Sequence, residues 1–105
     1  MSGCTVLEDA LAKGGKVVWD PPTRPRLFVP KGMRGKLQQD IETIREVLRR
    51  AVLFREQAQR PGPLPLLVLP GYQGEGGCLS CGTGIDLGYF RCAICALAVA
   101  LALET

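Results

Sequence analysis

Histidine is absent from this chain of 105 residues. Histidine is the commonest general base, and its absence excludes Ser–His and Cys–His nucleophilic pairs. The 10 acidic residues are scattered among 13 lysines and arginines, so no pair of carboxylates stands out as an acid–base couple. We therefore expect a protein that is not an enzyme.

Long apolar runs are also lacking. The longest uninterrupted run has 12 residues, 92–103, whereas a membrane-spanning helix needs about 20. This run is therefore predicted to be a core helix. Residues 1–15 show neither the basic start nor the long apolar segment of a secretion signal. We expect a cytoplasmic protein with no membrane partner.

Basic side chains are scarce in the second part of the chain. Residues 1–60 contain 12 Lys/Arg and 7 Asp/Glu, a net charge of +5, and residues 61–105 contain one Arg and 3 Asp/Glu, a net charge of −2. A basic N-terminal half is compatible with nucleic acid or an acidic peptide as partner. A solvated surface explains this modest charge equally well.

Four cysteines form two C-x2-C pairs, Cys78 with Cys81 and Cys92 with Cys95. Ten residues separate the pairs. This spacing lets four thiolates meet at one tetrahedral zinc ion with bonds of about 2.3 Å. The pattern predicts Zn²⁺ as the cofactor and these four residues as its ligands.

Other uses of the cysteines are less favoured. Two disulfides need an oxidising compartment, and a thioredoxin-like redox site needs one C-x-x-C after a strand. An iron–sulfur cluster could use four cysteines, but the regular double C-x-x-C favours zinc. Four thiolates leave no open position for water, so the zinc is expected to be structural and not catalytic. The fifth cysteine, Cys4, is predicted to be a small packing residue.

The segment around the cysteines predicts a small module of its own. Gly82 suits the left-handed bend that ends a C-x2-C turn, and the segment between the pairs is predicted to be a short hairpin turning near residues 86–88. An alanine- and leucine-rich helix follows Cys95. A turn, a hairpin and a helix with two ligands on its first turn resembles the treble-clef or zinc-ribbon class. Tyr89 and Phe90 are adjacent and face opposite sides, so at least one is expected in the core.

The first 60 residues predict two helices around a hairpin. Val17 and Trp19 share one face of the first strand, with Val18 on the other. The apolar arc of the second helix is broader than one hairpin covers, so the surplus is expected to pack the zinc module or a second copy. The predicted elements are a helix over 6–13, strands over 16–20 and 26–29 around a proline turn at 21–25, a long helix from 35 to about 59, and a short strand over 66–69.

These elements predict an α+β protein. Residues 1–60 form a helix–hairpin–long-helix domain, residues 61–77 a proline- and glycine-rich linker, and residues 78–105 a zinc module with a hairpin and a helix. Zinc would staple a module too small for a core of its own.

The pieces ALAKGGKVVWD, PRLFVPKG and LQQDIETIREVLRRA resemble the N-terminal docking domain of tubulysin-type hybrid peptide–polyketide synthetases. The resemblance covers about residues 5–60. In that family the domain is a homodimer whose hairpin accepts a short acidic peptide. The resemblance implies that Arg24, Arg26 and Lys31 face such a peptide, which adds to the hairpin as a further strand. This chain departs from the family in carrying a zinc module where a synthetase module stands and in the short MRGK segment before the long helix.

Two functions follow as expectations. The first is a non-enzymatic zinc-binding adaptor for protein–protein interaction, acting through its hairpin or its long helix, with a protein or acidic peptide as partner and a homodimer possible. The alternative is a nucleic-acid-binding zinc protein of a mobile element, a phage or a regulator of transcription or replication. Its contacts would come from Lys31, Arg34, Lys36 and Arg91. Against the alternative, Arg91 is the one cation of the predicted zinc module, where phosphate binding calls for several.

Overall fold

The structure is a computed structural model that describes residues 5–20, 24–63, 66–72, 74 and 76–104. These residues form four helices and one antiparallel hairpin, which confirms the α+β class. The elements are α1 (Thr5–Ala12), β1 (Lys16–Asp20), β2 (Arg24–Phe28), α2 (Arg34–Gln39), α3 (Ile41–Ala58) and α4 (Ala93–Ala102). Cys4 and the centre of the predicted proline turn, residues 21–23, lie outside the described residues.

The hairpin presents one face to the core and one to solvent. Its register runs from Lys16 opposite Phe28 to Asp20 opposite Arg24. Val17 and Trp19 are buried while Val18 is exposed, which confirms the predicted alternation. The second strand was expected at residues 26–29, but it begins two residues earlier and ends one residue earlier. A hairpin strand tolerates a proline because half of its backbone groups point away from the partner strand.

The predicted long helix is interrupted. Asp40 leaves the helical conformation, with φ −117° and ψ 26°, and separates α2 from α3. Met33 and Leu37, on the N-terminal side of the break, are both buried. The periodicity of the apolar residues does not reveal the break, because Leu37 and Ile44 also fit a single continuous stripe.

Helix α4 covers the broad apolar arc of α3. The two helices pack against each other, and alanine at many positions of α4 allows a close approach. The buried residues of both helices belong to one cluster with those of α1 and the hairpin. The surplus apolar surface of α3 is thus used within the chain. Separate folding of residues 1–60 and 78–105 on either side of a linker at 61–77 stays a prediction.

No helix among the described residues combines the length and the apolar character needed to cross a bilayer. Helix α4, which contains most of the 12-residue apolar run, has 10 residues.

Residues 66–69 do not form the predicted strand. Leu67 is buried at 3% exposure with a positive φ of 59°. The side-chain amide of Gln57 satisfies Val68 instead of a neighbouring strand: Gln57 Nε2 donates to Val68 O at 2.6 Å, and Val68 N donates to Gln57 Oε1 at 3.2 Å. The prediction was wrong because apolar content marks a buried segment without saying whether a partner strand lies beside it.

Trp19 ties the hairpin to the C-terminal end of α4. Its indole Nε1 donates to Leu101 O at 2.8 Å, and the Arg55 guanidinium lies 5.0 Å from the centre of its ring. Arg55 Nη1 also donates to Ala102 O at 2.9 Å and to Glu104 O. Cations and N–H donors are favourable here because the last carbonyls of a helix have no partner within the helix.

Replacing Trp19 with phenylalanine should destabilise the protein by about 2 kcal/mol, because the change removes the buried indole donor to Leu101 O, leaves that oxygen only backbone donors such as Glu104 N, and removes buried volume. Chemical denaturation of the metal-loaded protein measures this loss. Phe28→Leu is the control on the opposite, exposed face of the hairpin, and should cost less than about 0.5 kcal/mol. Equal stability of the two variants would contradict the proposed role of Trp19.

Candidate metal centre

The structure brings the four predicted ligands together. The sulfur atoms of Cys78, Cys81, Cys92 and Cys95 all lie within 4.8 Å of one another, and those of Cys81 and Cys92 are 3.8 Å apart. Sulfur atoms around a tetrahedral ion with bonds of about 2.3 Å are separated by about 3.8 Å. The arrangement can therefore hold one metal ion.

The first cysteine pair lies on a tight turn whose N–H groups point at sulfur. Both Ser80 N and Cys81 N lie 3.4 Å from Cys78 Sγ as donors. Gly82 N donates to Cys78 O at 2.9 Å, and Gly82 has a φ of +83°. This confirms the left-handed bend expected of Gly82.

The second pair starts α4. Cys92 is the N-cap residue, and its sulfur accepts a hydrogen bond from Cys95 N at 3.4 Å. Ala96 N donates to Cys92 O at 2.8 Å. Both sulfurs of this pair are thus set by the first turn of a helix, as predicted.

The segment between the pairs is a loop and not a hairpin. No strand is assigned to residues 83–91, all of which the structure describes. Two backbone bonds of 2.7 Å tie it to the first pair: Cys78 N donates to Thr83 O, and Leu79 N donates to Phe90 O. Tyr89 and Phe90 are both exposed, which corrects the expectation that one of them is in the core. Adjacent side chains point to opposite sides only in a strand. Residues 83–91 form no strand, so neither ring is placed against the core.

The surroundings of Cys78, Cys92 and Cys95 affect the ionisation of these thiols differently. Burial raises the pKa values of the Cys92 and Cys95 thiols. Burial acts in the same direction on Cys78, but N–H donors from the backbone of Cys92, Cys81 and Ser80 outweigh it and lower the pKa of Cys78 to about 6. A metal ion bound by all four sulfurs would keep them deprotonated.

Two residues that the sequence analysis did not single out support the site. Ser80 Oγ donates to Leu67 O at 2.7 Å and accepts from Arg91 Nε at 2.8 Å. Arg50 Nη1 donates to Cys95 Sγ at 3.1 Å. The helical phase gives a signal for Arg50, since it lies three residues after Val47 and four before Phe54, both of which are buried.

The predicted partner-binding residues lie on other elements. Arg24 and Arg26 are exposed on β2, and Lys31, Arg34 and Lys36 are exposed from the following turn through α2. Arg26 pairs with Asp20 at 2.7 Å. The other four form no ion pair with any described residue. The remaining candidate, Arg91, is engaged internally, because its Nη2 also donates to Leu66 O at 2.8 Å.

Comparison with protein-family models, with curated proteins and with solved structures finds no match for this chain.

Gly77 controls how closely the first cysteine turn closes on Thr83. Its φ is +114°, and a Cβ there would lie 2.5 Å from Thr83 O. Gly77→Ala should therefore destabilise the metal-loaded protein by about 2 kcal/mol and weaken metal binding. Gly84→Ala is the control, because no atom lies within 4 Å of its Cβ position. Chelator competition and denaturation should separate the two variants, and equal effects would contradict the account.

Proposed function

We propose that this protein is a non-enzymatic adaptor whose C-terminal part is stabilised by one structural zinc ion. The observation that carries the proposal is the set of four cysteine sulfurs at the spacing of a tetrahedral site. Tetrahedral S4 sites suit zinc or iron–sulfur centres, and sulfurs this close surround a single ion more readily than a cluster of several irons. Zinc adds no redox chemistry, and four sulfurs leave it no open position for a substrate.

The metal would act on the packing of the whole chain. It would join the loop of residues 78–91 to the first turn of α4. Helix α4 in turn packs on α3 and accepts the Trp19 hydrogen bond at its other end. Binding free energy at a structural zinc site becomes folding free energy. The metal centre would thus help to fix the hairpin as well as its own loop.

The outer face of the hairpin is the surface that best suits a partner. It exposes the apolar side chains of Val18 and Phe28 between the cations Lys16 and Arg24. Neither cation has an ion pair among the described residues. A strand of alternating apolar and acidic residues would match this face. The resemblance to docking domains supports the same partner, an acidic peptide.

Nucleic acid is the second candidate. The observation in its favour is that Lys31, Arg34 and Lys36 are exposed close together in the chain without an ion pair in the described part of the structure. Arg91 supports it less than expected, because its guanidinium is committed to Ser80 Oγ and Leu66 O.

Cys81→Ser tests the metal. The variant should lose stoichiometric zinc and show faster amide exchange over residues 78–104, because one of the four ligands is gone. The control is Cys4→Ser, which removes the cysteine outside the motif and should keep one zinc per chain. Metal analysis and hydrogen exchange give the readouts. Zinc retained by the Cys81 variant would refute the assignment of ligands.

Charge reversal on the hairpin tests the partner. The double change Lys16→Glu and Arg24→Glu should weaken binding of a labelled peptide of alternating glutamate and valine at least about tenfold, because like charges then face each other. Arg45→Glu, an exposed change on α3, is the matched control and should change it less than about threefold.

Fluorescence anisotropy at two salt concentrations gives the affinities. An equal loss in both variants would reject the hairpin as the surface that binds the peptide. No peptide binding together with steeply salt-dependent binding of an oligonucleotide would reject the adaptor in favour of nucleic acid.

A further inference from the structure

The sulfur atoms of the metal centre differ in what surrounds them. Cys78 and Cys92 accept hydrogen bonds from backbone N–H groups within their own turns, and Thr83 Oγ1 lies 3.2 Å from Cys81 Sγ. Cys78 also accepts from the backbone of Cys92, so all these donors come from residues 80–95 of the cysteine segment itself. Cys95 accepts a hydrogen bond from another element, since its donor Arg50 lies on α3, 45 residues away in sequence.

Arg50 is held in place for this contact. Its side chain is 19% exposed, and its Nε donates to Glu46 Oε2 at 2.6 Å while Nη1 donates to Cys95 Sγ at 3.1 Å. Glu46 also accepts from Arg49, whose Nε lies 3.1 Å from Oε1. A planar guanidinium with several fixed donors can serve a carboxylate and a sulfur at once, which a lysine ammonium does less well.

The group formed by Glu46, Arg49 and Arg50 keeps the same charge near neutral pH. The Arg49 hydrogen bond, with help from Arg50 and against the effect of burial, lowers the pKa of Glu46 to about 2. Glu46 with two arginines therefore carries a net charge of +1. Four thiolates around a divalent cation carry a net charge of −2. Of the two arginines, only Arg50 donates to a ligand sulfur among the described contacts. Arg50 therefore places a positive charge next to the metal centre.

We propose that Arg50 is the outer-sphere partner of Cys95: it orients this sulfur, offsets part of the negative charge of the metal centre and raises the affinity of the site for its cation. The inference rests on the proposed four-cysteine metal site. Outer-sphere partners of metal ligands typically contribute 10- to 100-fold in affinity. Arg50 also joins the metal centre to α3, so that docking of α3 and binding of the metal favour each other.

The test compares four variants of the full chain: Arg50→Gln, Arg50→Lys, Arg49→Gln and Glu46→Gln. Affinity for Co²⁺ and Zn²⁺ is measured by competition with a chromophoric chelator. Arg50→Gln should bind about 10- to 100-fold more weakly than the unchanged protein. Arg50→Lys, which keeps the charge, should lose less than about tenfold. Arg49→Gln, which leaves Arg50 and its contact with Glu46 in place, should stay within about threefold. Glu46→Gln, whose amide oxygen can still accept from Arg50 Nε, should lose less affinity than Arg50→Gln.

A second readout separates contact with sulfur from general stabilisation. A hydrogen bond stabilises the lone pairs of a thiolate, so its loss should move the sulfur-to-cobalt charge-transfer band of Arg50→Gln to longer wavelength at saturating Co²⁺. A purely structural role for Arg50 would leave that band in place. If Arg50→Gln does not fold, Arg50→Lys carries the same test with a smaller shift.

The outcomes are distinct. An unchanged protein that binds neither metal would refute the metal site itself. A protein that binds metal, with Arg50→Gln unchanged in affinity and spectrum, would overturn the role of Arg50 alone. So would a loss of affinity that Glu46→Gln reproduces without any shift of the band, because the ion pair and not the sulfur contact would then explain it.

Discussion

Four cysteine sulfurs within 4.8 Å of one another set the central constraint on this structure. As thiolates they repel each other strongly in a site where Cys78 and Cys95 are buried, and a cation is what makes four thiolates compatible with burial. The backbone donors of the two C-x2-C turns and the guanidinium of Arg50 reduce the repulsion but are too few to remove it. The arrangement has the physical character of a metal site.

The interior of the protein depends on the helix that carries two of these sulfurs. Helix α4 is apolar on nearly all sides and too short to be stable alone, so it must be buried against α3. Two arginines of α3 mark the ends of this contact. Arg50 reaches the first turn of α4 at Cys95, and Arg55 reaches the carbonyls of its last turn. Trp19 adds the hairpin to the same end.

The local features of the fold could be predicted from the sequence. The spacing of the cysteines indicated the sulfur cluster, and the alternation around Trp19 indicated which face of the hairpin is buried. Both depend on interactions between residues close in sequence or on fixed geometric periods.

The non-local features could not be predicted. The break at Asp40 leaves no mark in the apolar periodicity, because Leu37 and Ile44 fit one continuous stripe. Residues 66–69 are bonded through the side chain of Gln57 and the loop at Ser80, and no periodicity marks such bonding. The contact between Arg50 and Cys95 is also non-local, since the two residues are 45 positions apart in sequence.

X-ray absorption spectroscopy at the zinc edge, on protein purified with its own metal, examines the four-cysteine site directly. We expect a first shell of four sulfur atoms at about 2.3 Å, with no scattering from a second metal. A first shell containing nitrogen or oxygen, scattering from a neighbouring metal, or protein that folds without bound metal would contradict the proposed site.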